Sequence, residues 1–295
     1  MLIHLLLQVS EDDIAKVNQE YNLDDVKIKD YINIINIWCN KQDHLVEAHK
    51  YMTPDVITRL IIISRGKVEE TKTKIERLMT TRGMLPEVIL NKSYEEFENL
   101  LENVIFIPMP KLDVSKSRIM IAKYCNPDLL GEFRLYVDYN ISDIHILDLK
   151  GLTLNDVAQF NPIIFRKGEI LHTKGYGLRV KGIHILNAPT YADKFISVLK
   201  PVLSEKVAGR IHVHNSYDDL HKYIPKTFLP EDYGGEEPSI AVIHEQWKEY
   251  LKTDEARKFL ENSNKLKSDE SKRNCAKFNE EYLGMPGSFR KLNVD

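Results

Sequence analysis

Apolar residues recur every three to four positions through roughly the first hundred residues, which is the spacing of one helix face. After Asp24, which can cap a helix, Ile28, Tyr31 and Ile35 fall on one such face. Acidic residues crowd the predicted first turns, where they complement the helix dipole. The pattern predicts an N-terminal helical domain over residues 1–95.

The pattern then changes to short runs with β-type composition, separated by segments of helical spacing. The runs fall at 104–107, 118–122, 143–149, 179–187 and 210–214. Helical segments at 154–172 and 191–207 alternate with the later runs. This alternation predicts an α/β lobe with a mostly parallel sheet, flanking helices and right-handed crossovers. We expect the lobe to occupy 96–255 and a polar C-terminal extension, docked or loose, to follow over 256–295.

Composition places the chain among ordinary globular proteins. Apolar residues make up 43% and charged residues 29%, and apolar runs such as Leu60–Ile63 are far too short to cross a bilayer. Three cysteines, Cys39, Cys125 and Cys275, include no CxxC pair, which is typical of a reducing, intracellular compartment. The net charge of −3 gives no support for nucleic-acid binding.

Positive charge is concentrated in one part of the chain. Residues 166–226 contain 11 Lys and Arg against 5 Asp and Glu, a net charge of +6. A basic segment on an acidic protein indicates a local anionic partner, such as a lipid headgroup or a membrane surface. A solvated lysine-rich surface is the alternative interpretation.

Two pairs of cations stand out within this segment. Arg179 and Lys181 lie two apart in a predicted strand, so their side chains share a face. Lys206 and Arg210 lie four apart and share a helix face if the predicted helix extends that far. The two pairs can converge on one phosphate group, since the planar guanidinium suits phosphate oxygens and lysine adds a point charge. Scatter over the surface is the alternative.

The segment 191–203 between these pairs is amphipathic at helical spacing. Its apolar positions include Tyr191, Phe195, Val198 and Leu199, with lysines on the opposite side. A helix facing the core is one interpretation. A movable lid that touches a membrane with its lysines is the other, because proline and alanine at its borders allow hinges.

The sequence gives little support for a metal site or a catalytic site. His184, His212, His214 and His221 lack a partner carboxylate or cysteine at a familiar metal-ligand spacing, so we expect polar contacts within the core and no metal. The sequence has no P-loop and no nucleophile motif of the G-x-S-x-G type. We therefore expect no catalytic residues, no cofactor and no enzymatic activity.

Several ordered motifs resemble the CRAL-TRIO lipid-binding family. They are Asp148-Leu149-Lys150-Gly151-Leu152-Thr153, Arg179-Val180-Lys181-Gly182-Ile183-His184-Ile185-Leu186-Asn187-Ala188-Pro189, Leu199-Lys200-Pro201-Val202-Leu203-Ser204-Glu205-Lys206, Arg210-Ile211-His212-Val213-His214 and Leu229-Pro230-Glu231-Asp232-Tyr233-Gly234-Gly235. The ending, with Ser268-Asp269-Glu270-Ser271-Lys272-Arg273, is similar to insect-type members of the family.

The resemblance implies a helical bundle followed by an α/β lobe, whose hydrophobic pocket is closed by a gate helix at about 189–200. In the tocopherol-transfer branch of the family, a basic cleft binds phosphoinositide headgroups, and its positions fall here on Arg179, Lys181, Lys206 and Arg210. The implied protein is a monomeric cytoplasmic lipid carrier, peripheral to endosomal or other intracellular membranes. A phosphoinositide-binding trafficking or signalling adaptor without exchanged cargo is the alternative. Tocopherol, retinoid, carotenoid, sterol-like compounds and phosphoinositide all remain open as the bound lipid.

Overall fold

The computed structural model of the protein describes residues 3–84, 105–123, 134, 137–159 and 170–273. The α-helices of the described residues are α1 (Ile3–Leu6), α2 (Glu11–Glu20), α3 (Asp25–Cys39), α4 (Val46–His49), α5 (Pro54–Ile63), α6 (Val68–Met84), α7 (Leu154–Gln159), α8 (Ala192–Leu199), α9 (Glu205–Ala208), α10 (Tyr217–His221), α11 (Ile240–Leu251) and α12 (Asp254–Ser263). Residues Leu171–Gly175 form a short π-helix. The strands are β1 (Ile105–Leu112), β2 (Ser117–Lys123), β3 (Ser142–Asp148), β4 (Val180–Leu186) and β5 (Ile211–Val213). Residues 85–95 of the predicted helical domain, and most of the helix predicted at 154–172, lie outside the described residues.

The N-terminal helices begin where the sequence predicts them, because side chains satisfy their first amide groups. Ser10 and Asp13 form a reciprocal capping box, and Asp24 accepts a hydrogen bond from the Lys27 amide at 2.8 Å. Helix α5 is buried along most of its length, including all of 60–63. It therefore forms the centre of the helical core.

The five strands form one sheet in the order β1-β2-β3-β4-β5. Strands β2 to β5 pair in parallel, and β1 is antiparallel to β2, which confirms the predicted mixed α/β fold with a mostly parallel sheet. Each face is covered. One face packs Ile107, Ile119 and Ile146 in the same apolar cluster as Trp247 of α11. The other face packs against α8.

The predicted helix over 191–207 is divided in two. Helix α8 ends at Leu199, a 3-10 turn occupies Lys200–Val202, and Leu203 is extended before α9 begins. Pro201 explains the interruption, because proline has no amide hydrogen to continue the helical bonding pattern. The sequence analysis was therefore wrong about the length of this helix.

The C-terminal extension is more structured than the sequence predicts. Thr253 caps α12, whose Ala256 and Leu260 are buried. Beyond it, the Leu266 carbonyl accepts a hydrogen bond from Arg82 Nε of α6 at 2.6 Å. This segment is docked on the helical core, at least as far as residue 273. The limits predicted for the three domains stay a prediction.

A network of buried charges connects the helical part of the chain to the sheet. Arg118 Nη2 and Arg134 Nε donate to Asp138 at 2.7 and 3.0 Å, and Arg134 Nη2 donates to Asp143 at 2.6 Å. Asn140 Nδ2 also donates to Asp143 at 2.6 Å, while Arg59 of α5 donates to the backbone and side-chain oxygens of Asn140. All of these side chains are buried.

The guanidinium groups keep the two carboxylates ionised. Burial alone would raise the pKa of Asp138, but Arg118 and Arg134 outweigh it and hold this pKa well below its usual range. Burial would likewise raise the pKa of Asp143, and Arg134 with His172 lowers it instead. Each charge in the network therefore depends on its partners to remain in the interior.

None of the helices in the described ranges combines the length and apolar character that a bilayer span requires.

Asp138→Asn should destabilise the protein strongly, because it leaves the buried guanidiniums of Arg118 and Arg134 without their shared carboxylate. Breaking a buried ion pair from one side typically costs about 3–5 kcal/mol. Urea unfolding of the variant and the parent protein measures the difference. Asp12→Asn is the matched control, since its partner Lys16 and Asp12 itself are both exposed. Equal urea midpoints for the two variants would contradict the importance given to the network.

Candidate functional site

Three of the four predicted cations belong to residues located at the amino end of β4. Arg179 immediately precedes the strand, Lys181 is its second residue, and an Nη1 hydrogen of Arg210 is donated to the Val180 carbonyl. The Arg210 guanidinium therefore lies against the peptide group between the other two cations. Arg210 is held there because the amide of Ile183 donates to its backbone carbonyl at 3.0 Å, where β5 joins the sheet.

Lys181 occupies a β-bulge. On β3, Asp143 pairs with Val180, but the next residue, Ile144, pairs with Gly182, so Lys181 has no partner of its own. A bulge redirects the extra side chain, which changes the simple alternation that the sequence analysis assumed for Arg179 and Lys181. The sequence predicted that Arg179 and Lys181 lie close together at one strand, but it did not predict the bulge.

The Lys181 side chain reaches the rim of a polar cleft. Its Nζ donates to Ser115 Oγ in the turn between β1 and β2. The cleft has a volume of about 380 Å³ and is lined by Lys16, Glu20, Val114, Ser115, Lys116, Ile141, Ser142 and Lys181. Lys116 is paired with Asp13 of α2. Lys16 and Lys116 lie about a hundred positions apart, and the sequence contains no pattern that connects them.

Lys206 approaches the same end of β4 from a different element. Its helix, α9, packs on the sheet through the buried Val207. Because α9 ends at Ala208 and Gly209 caps it, Lys206 and Arg210 do not share a helix face. The shared face was predicted on the condition that the helix extends to Arg210, and this condition is not met. The Lys206 side chain is exposed and open to a ligand or a surface.

Positive potential around Arg179 also affects a neighbouring lysine. Burial, followed by the charge of Arg179, lowers the pKa of Lys74 to about 8. The Lys74 ammonium donates to the Gly177 carbonyl at 3.3 Å. The amino end of β4 therefore concentrates cations that an anionic ligand would stabilise.

Helix α8 occupies the position predicted for the gate. Phe195 and Leu199 are buried in an apolar cluster that includes Met120, Leu147 and Ile183 of the sheet. Its other members are Phe106, Ala122, Leu149, Leu152, Val180, Ile185, Ala192, Ile196, Leu203 and Val207. The face of α8 towards the sheet is thus continuously apolar.

The other two predicted gate residues differ from this pattern. Tyr191 is half-buried at the start of α8 and donates its hydroxyl hydrogen to the Leu152 carbonyl. Val198 is 39% exposed and lies on the outer side of the helix near Lys194, away from the other apolar positions predicted for this segment. The outer surface of α8 therefore combines a lysine with an exposed aliphatic side chain.

The clustered histidines make the polar contacts that the sequence predicts. His184 Nδ1 and His214 Nε2 are 2.8 Å apart, and the His212 ring stacks on His184 at 5.2 Å. Tyr223 contacts all three rings. His221 is elsewhere, with its Nε2 bonded to the Tyr233 carbonyl at 2.8 Å.

A second group, Asp143, His145 and His172, brings three potential metal-ligating atoms within 4.8 Å of one another. The charge environment argues against a cation there, because Arg134 already donates to both oxygens of Asp143. Burial, then the charge of His172, lowers the pKa of His145 to about 3, so its ring is neutral. We therefore assign these residues to the buried ionic network. The absence of a metal or cofactor in the functional protein stays a prediction.

Acid should destabilise the protein through the clustered histidines. Burial, then the charges of His214 and His212, lowers the pKa of His184 to about 4, and burial first also lowers the pKa of His214. The unfolded chain, with histidine pKa values near 6.5, binds more protons below that pH than the folded protein does. The free energy of unfolding should therefore fall as the pH decreases from about 6.5 towards 4.

Urea unfolding across this pH range tests the effect. His184→Gln should reduce the dependence on pH, whereas His4→Gln, an exposed position outside the cluster, should leave it as in the parent protein. Identical pH profiles for all three proteins would show that the cluster does not control acid stability.

Comparisons with known proteins agree with this architecture. The family model described as the CRAL/TRIO domain matches residues 129–235, which include α8 and all four predicted cations. Alpha-tocopherol transfer protein-like of Homo sapiens is 34% identical over 91 residues, covering 30% of this chain and 27% of that protein. Clavesin-2 of Rattus norvegicus is 28% identical over 123 residues, covering 39% and 38%.

A solved structure, the crystal structure of Sfh5, aligns over 80% of this chain and 92% of that chain, with a TM-score of 0.41 and 13% identity. The chain spans about a quarter of the length of the first curated relatives that it matches. The family match and the curated relatives confirm the resemblance found in the sequence, and the chain carries a CRAL/TRIO domain at residues 129–235.

Proposed function

We propose that the protein is an intracellular carrier that binds a small hydrophobic lipid in a pocket between α8 and the sheet and exchanges it at membranes. The observation that carries this proposal is the apolar layer beneath α8, which includes Phe195, Leu199, Met120 and Ile183. A helix that covers an apolar sheet face can enclose a lipid if it moves. The similarity to a protein named for tocopherol transfer favours carriage over catalysis.

The energetics of burial explain why such a carrier needs a gate. Each buried CH₂ contributes about 0.8 kcal/mol, so a chain of roughly 15 carbons gains about 12 kcal/mol. Escape of that lipid through water would be very slow. Exchange becomes practical when the gate opens against a bilayer and the lipid passes directly between two apolar environments.

The basic residues at the amino end of β4 supply the membrane cue in this proposal. Arg179, Lys181, Lys206 and Arg210 would bind a phosphoinositide headgroup on the membrane surface. The Arg210 guanidinium has further N–H groups beyond the one donated to Val180, and the Lys181 and Lys206 side chains are exposed. Anionic lipid that binds the open state more tightly than the closed state would shift the gate towards opening.

The alternative is a cytoplasmic adaptor that reads phosphoinositides and exchanges no cargo. The polar cleft beside Lys181 favours it, because lysines and serines in a volume of about 380 Å³ can receive a phosphorylated headgroup without any apolar pocket. The two functions differ in one observable, which is the presence of a bound apolar molecule.

Lys206→Ala combined with Arg210→Ala should slow transfer of bound lipid to vesicles that contain phosphatidylinositol bisphosphate. Each basic residue near an anionic surface contributes about 1 kcal/mol, so loss of two should weaken vesicle binding roughly 30-fold. Lipid loading in solution should persist. Lys252→Ala with Lys258→Ala removes two exposed cations elsewhere and is the control. Unchanged transfer by the first variant would show that these cations have no role at the membrane.

Native mass spectrometry of the protein purified from its own tissue should show a co-purified apolar molecule. Its mass would also identify the lipid class, which the sequence leaves open. A preparation that carries no such molecule, yet binds phosphoinositide vesicles, would favour the adaptor over the carrier.

A further inference from the structure

We propose that the Asp148 carboxylate is a latch that holds the gate helix α8 closed by binding the side chain of Asn187. The proposal deepens the carrier function proposed above and rests on it for the meaning of closure. The contact between Asp148 and Asn187 is separate from the basic residues at the amino end of β4, because these two residues lie at the carboxyl ends of β3 and β4.

Asn187 is the point where the chain leaves the sheet for the gate. It follows the last residue of β4, and α8 begins five residues later at Ala192. Its φ of +51° places it in the left-handed region, where few residues other than glycine and asparagine are comfortable. The backbone of this residue therefore contributes to the direction in which the chain leaves the sheet towards α8.

The Asp148 carboxylate fixes that residue. Asn187 Nδ2 donates to Asp148 Oδ1 at 2.7 Å, and the Lys150 amide donates to the same oxygen at 3.0 Å. The second oxygen, Oδ2, accepts the Tyr233 hydroxyl hydrogen at 3.0 Å. Asp148 and Tyr233 are buried, whereas Asn187 is exposed. The buried Asp148 carboxylate thus binds Tyr233 through one oxygen and Asn187, at the start of the segment that leads to the gate, through the other.

Tyr233 is suited to be the rigid neighbour. Its carbonyl accepts a hydrogen bond from His221, and its ring packs against Tyr217 with centroids 5.4 Å apart. The turn that carries it is tight, because a Cβ on Gly235 would lie only 2.0 Å from the Leu229 carbonyl oxygen. Tyr233 is therefore the fixed partner of the carboxylate, and the exposed Asn187 is the partner that the proposal releases.

A second contact ties the gate to the same segment. The Tyr191 hydroxyl donates to the Leu152 carbonyl, four residues after Asp148. The entry to α8 is consequently attached to the 148–152 segment through two side chains. If Asn187 is released, Asp148 keeps its bonds to Lys150 and Tyr233, so opening does not leave a buried carboxylate without donors. This makes the contact a reversible one.

The chain beyond the gate connects this latch to the basic site. From Asn187 the chain runs through α8 and α9 to Arg210, which lies at the amino end of β4. The gate is thus held at the carboxyl edge of the sheet by Asp148 and bordered at the amino edge by Lys206 and Arg210. An anion bound at the second edge acts on the same segment that the latch restrains at the first.

Asn187→Gly is the variant that tests the latch. Glycine keeps the positive φ without strain and removes the whole side chain, including the amide that binds Asp148. Hydrogen–deuterium exchange of the backbone amides in 190–200, measured on the full chain, should become roughly tenfold faster because a charge-assisted hydrogen bond is lost. Exchange in β2 and β3 should stay unchanged. Asn22→Gly is the matched control, since Asn22 is an exposed asparagine with a φ of +52° outside the gate.

Asp148→Asn should also accelerate exchange of the gate, because a neutral amide oxygen is a weaker acceptor for the Asn187 amide than a carboxylate is. Combining it with Asn187→Gly should add little, because both changes act on the same contact. Gate exchange in Asn187→Gly equal to that of the parent protein, or acceleration spread over the whole chain, would overturn the proposal.

A release assay separates the latch from the carrier function. Protein loaded with a pyrene-labelled fatty acid is mixed with phosphatidylcholine vesicles, and the label is followed as it enters the bilayer. Faster gate exchange with faster release supports both proposals. Faster gate exchange with unchanged release supports the latch and overturns the proposal that α8 controls the exit of cargo.

Discussion

A network of buried charges connects the helical part of the chain to the sheet. In this network the carboxylates of Asp138 and Asp143 lie among the guanidinium groups of Arg59, Arg118 and Arg134. Arg59 reaches Asn140 from α5, and Asn140 in turn binds Asp143 at the start of β3. The amide of Asp143 then donates to the Arg179 carbonyl at 2.8 Å. Each contact fixes the next, so the network determines where the amino end of β4 lies. Removing these charges from water costs free energy. Their directional hydrogen bonds, unlike apolar packing, require the helices and the sheet to meet in one particular arrangement.

The candidate site follows from the two ends of the parallel sheet. Parallel strands bring their amino ends to one edge and their carboxyl ends to the other. Cations accumulate at the first edge, and the hinge of α8 lies at the second. Helix α8 packs on an apolar face of this sheet. In the proposed function, an event at either edge changes how tightly that face is covered, so the basic residues and the gate act together.

Much of this arrangement could be predicted from the sequence. The alternation of strand and helix patterns predicted five strands and a mostly parallel sheet, and the amphipathic segment after Asn187 predicted α8. The predicted helix over 191–207 contains Pro201, at which the helix is interrupted, so α8 is shorter than predicted. The exposure of Val198 reflects the orientation of α8: the face towards the sheet is formed by Ala192, Phe195, Ile196 and Leu199, and Val198 lies beside that face.

Other features depend on long-range packing that a single sequence does not contain. The bulge at Lys181 arises from the pairing register with β3, which no local pattern specifies. Buried Arg118 and Asp138 have the same residue types as surface charges, so nothing marks them as interior before the fold is known. Lys16 and Lys116 reach the cleft from distant parts of the chain. In each case the feature depends on which segments come into contact in the folded protein, and a single sequence does not give those contacts.

A lipid enclosed between α8 and the sheet would be visible in an experimental high-resolution structure of the protein purified together with its natural ligand. We expect apolar ligand density in contact with Phe195 and Leu199 of α8 and with the sheet residues Met120 and Ile183. Density confined to the surface, with these side chains packed against one another and no space between them, would show that α8 does not cover a lipid.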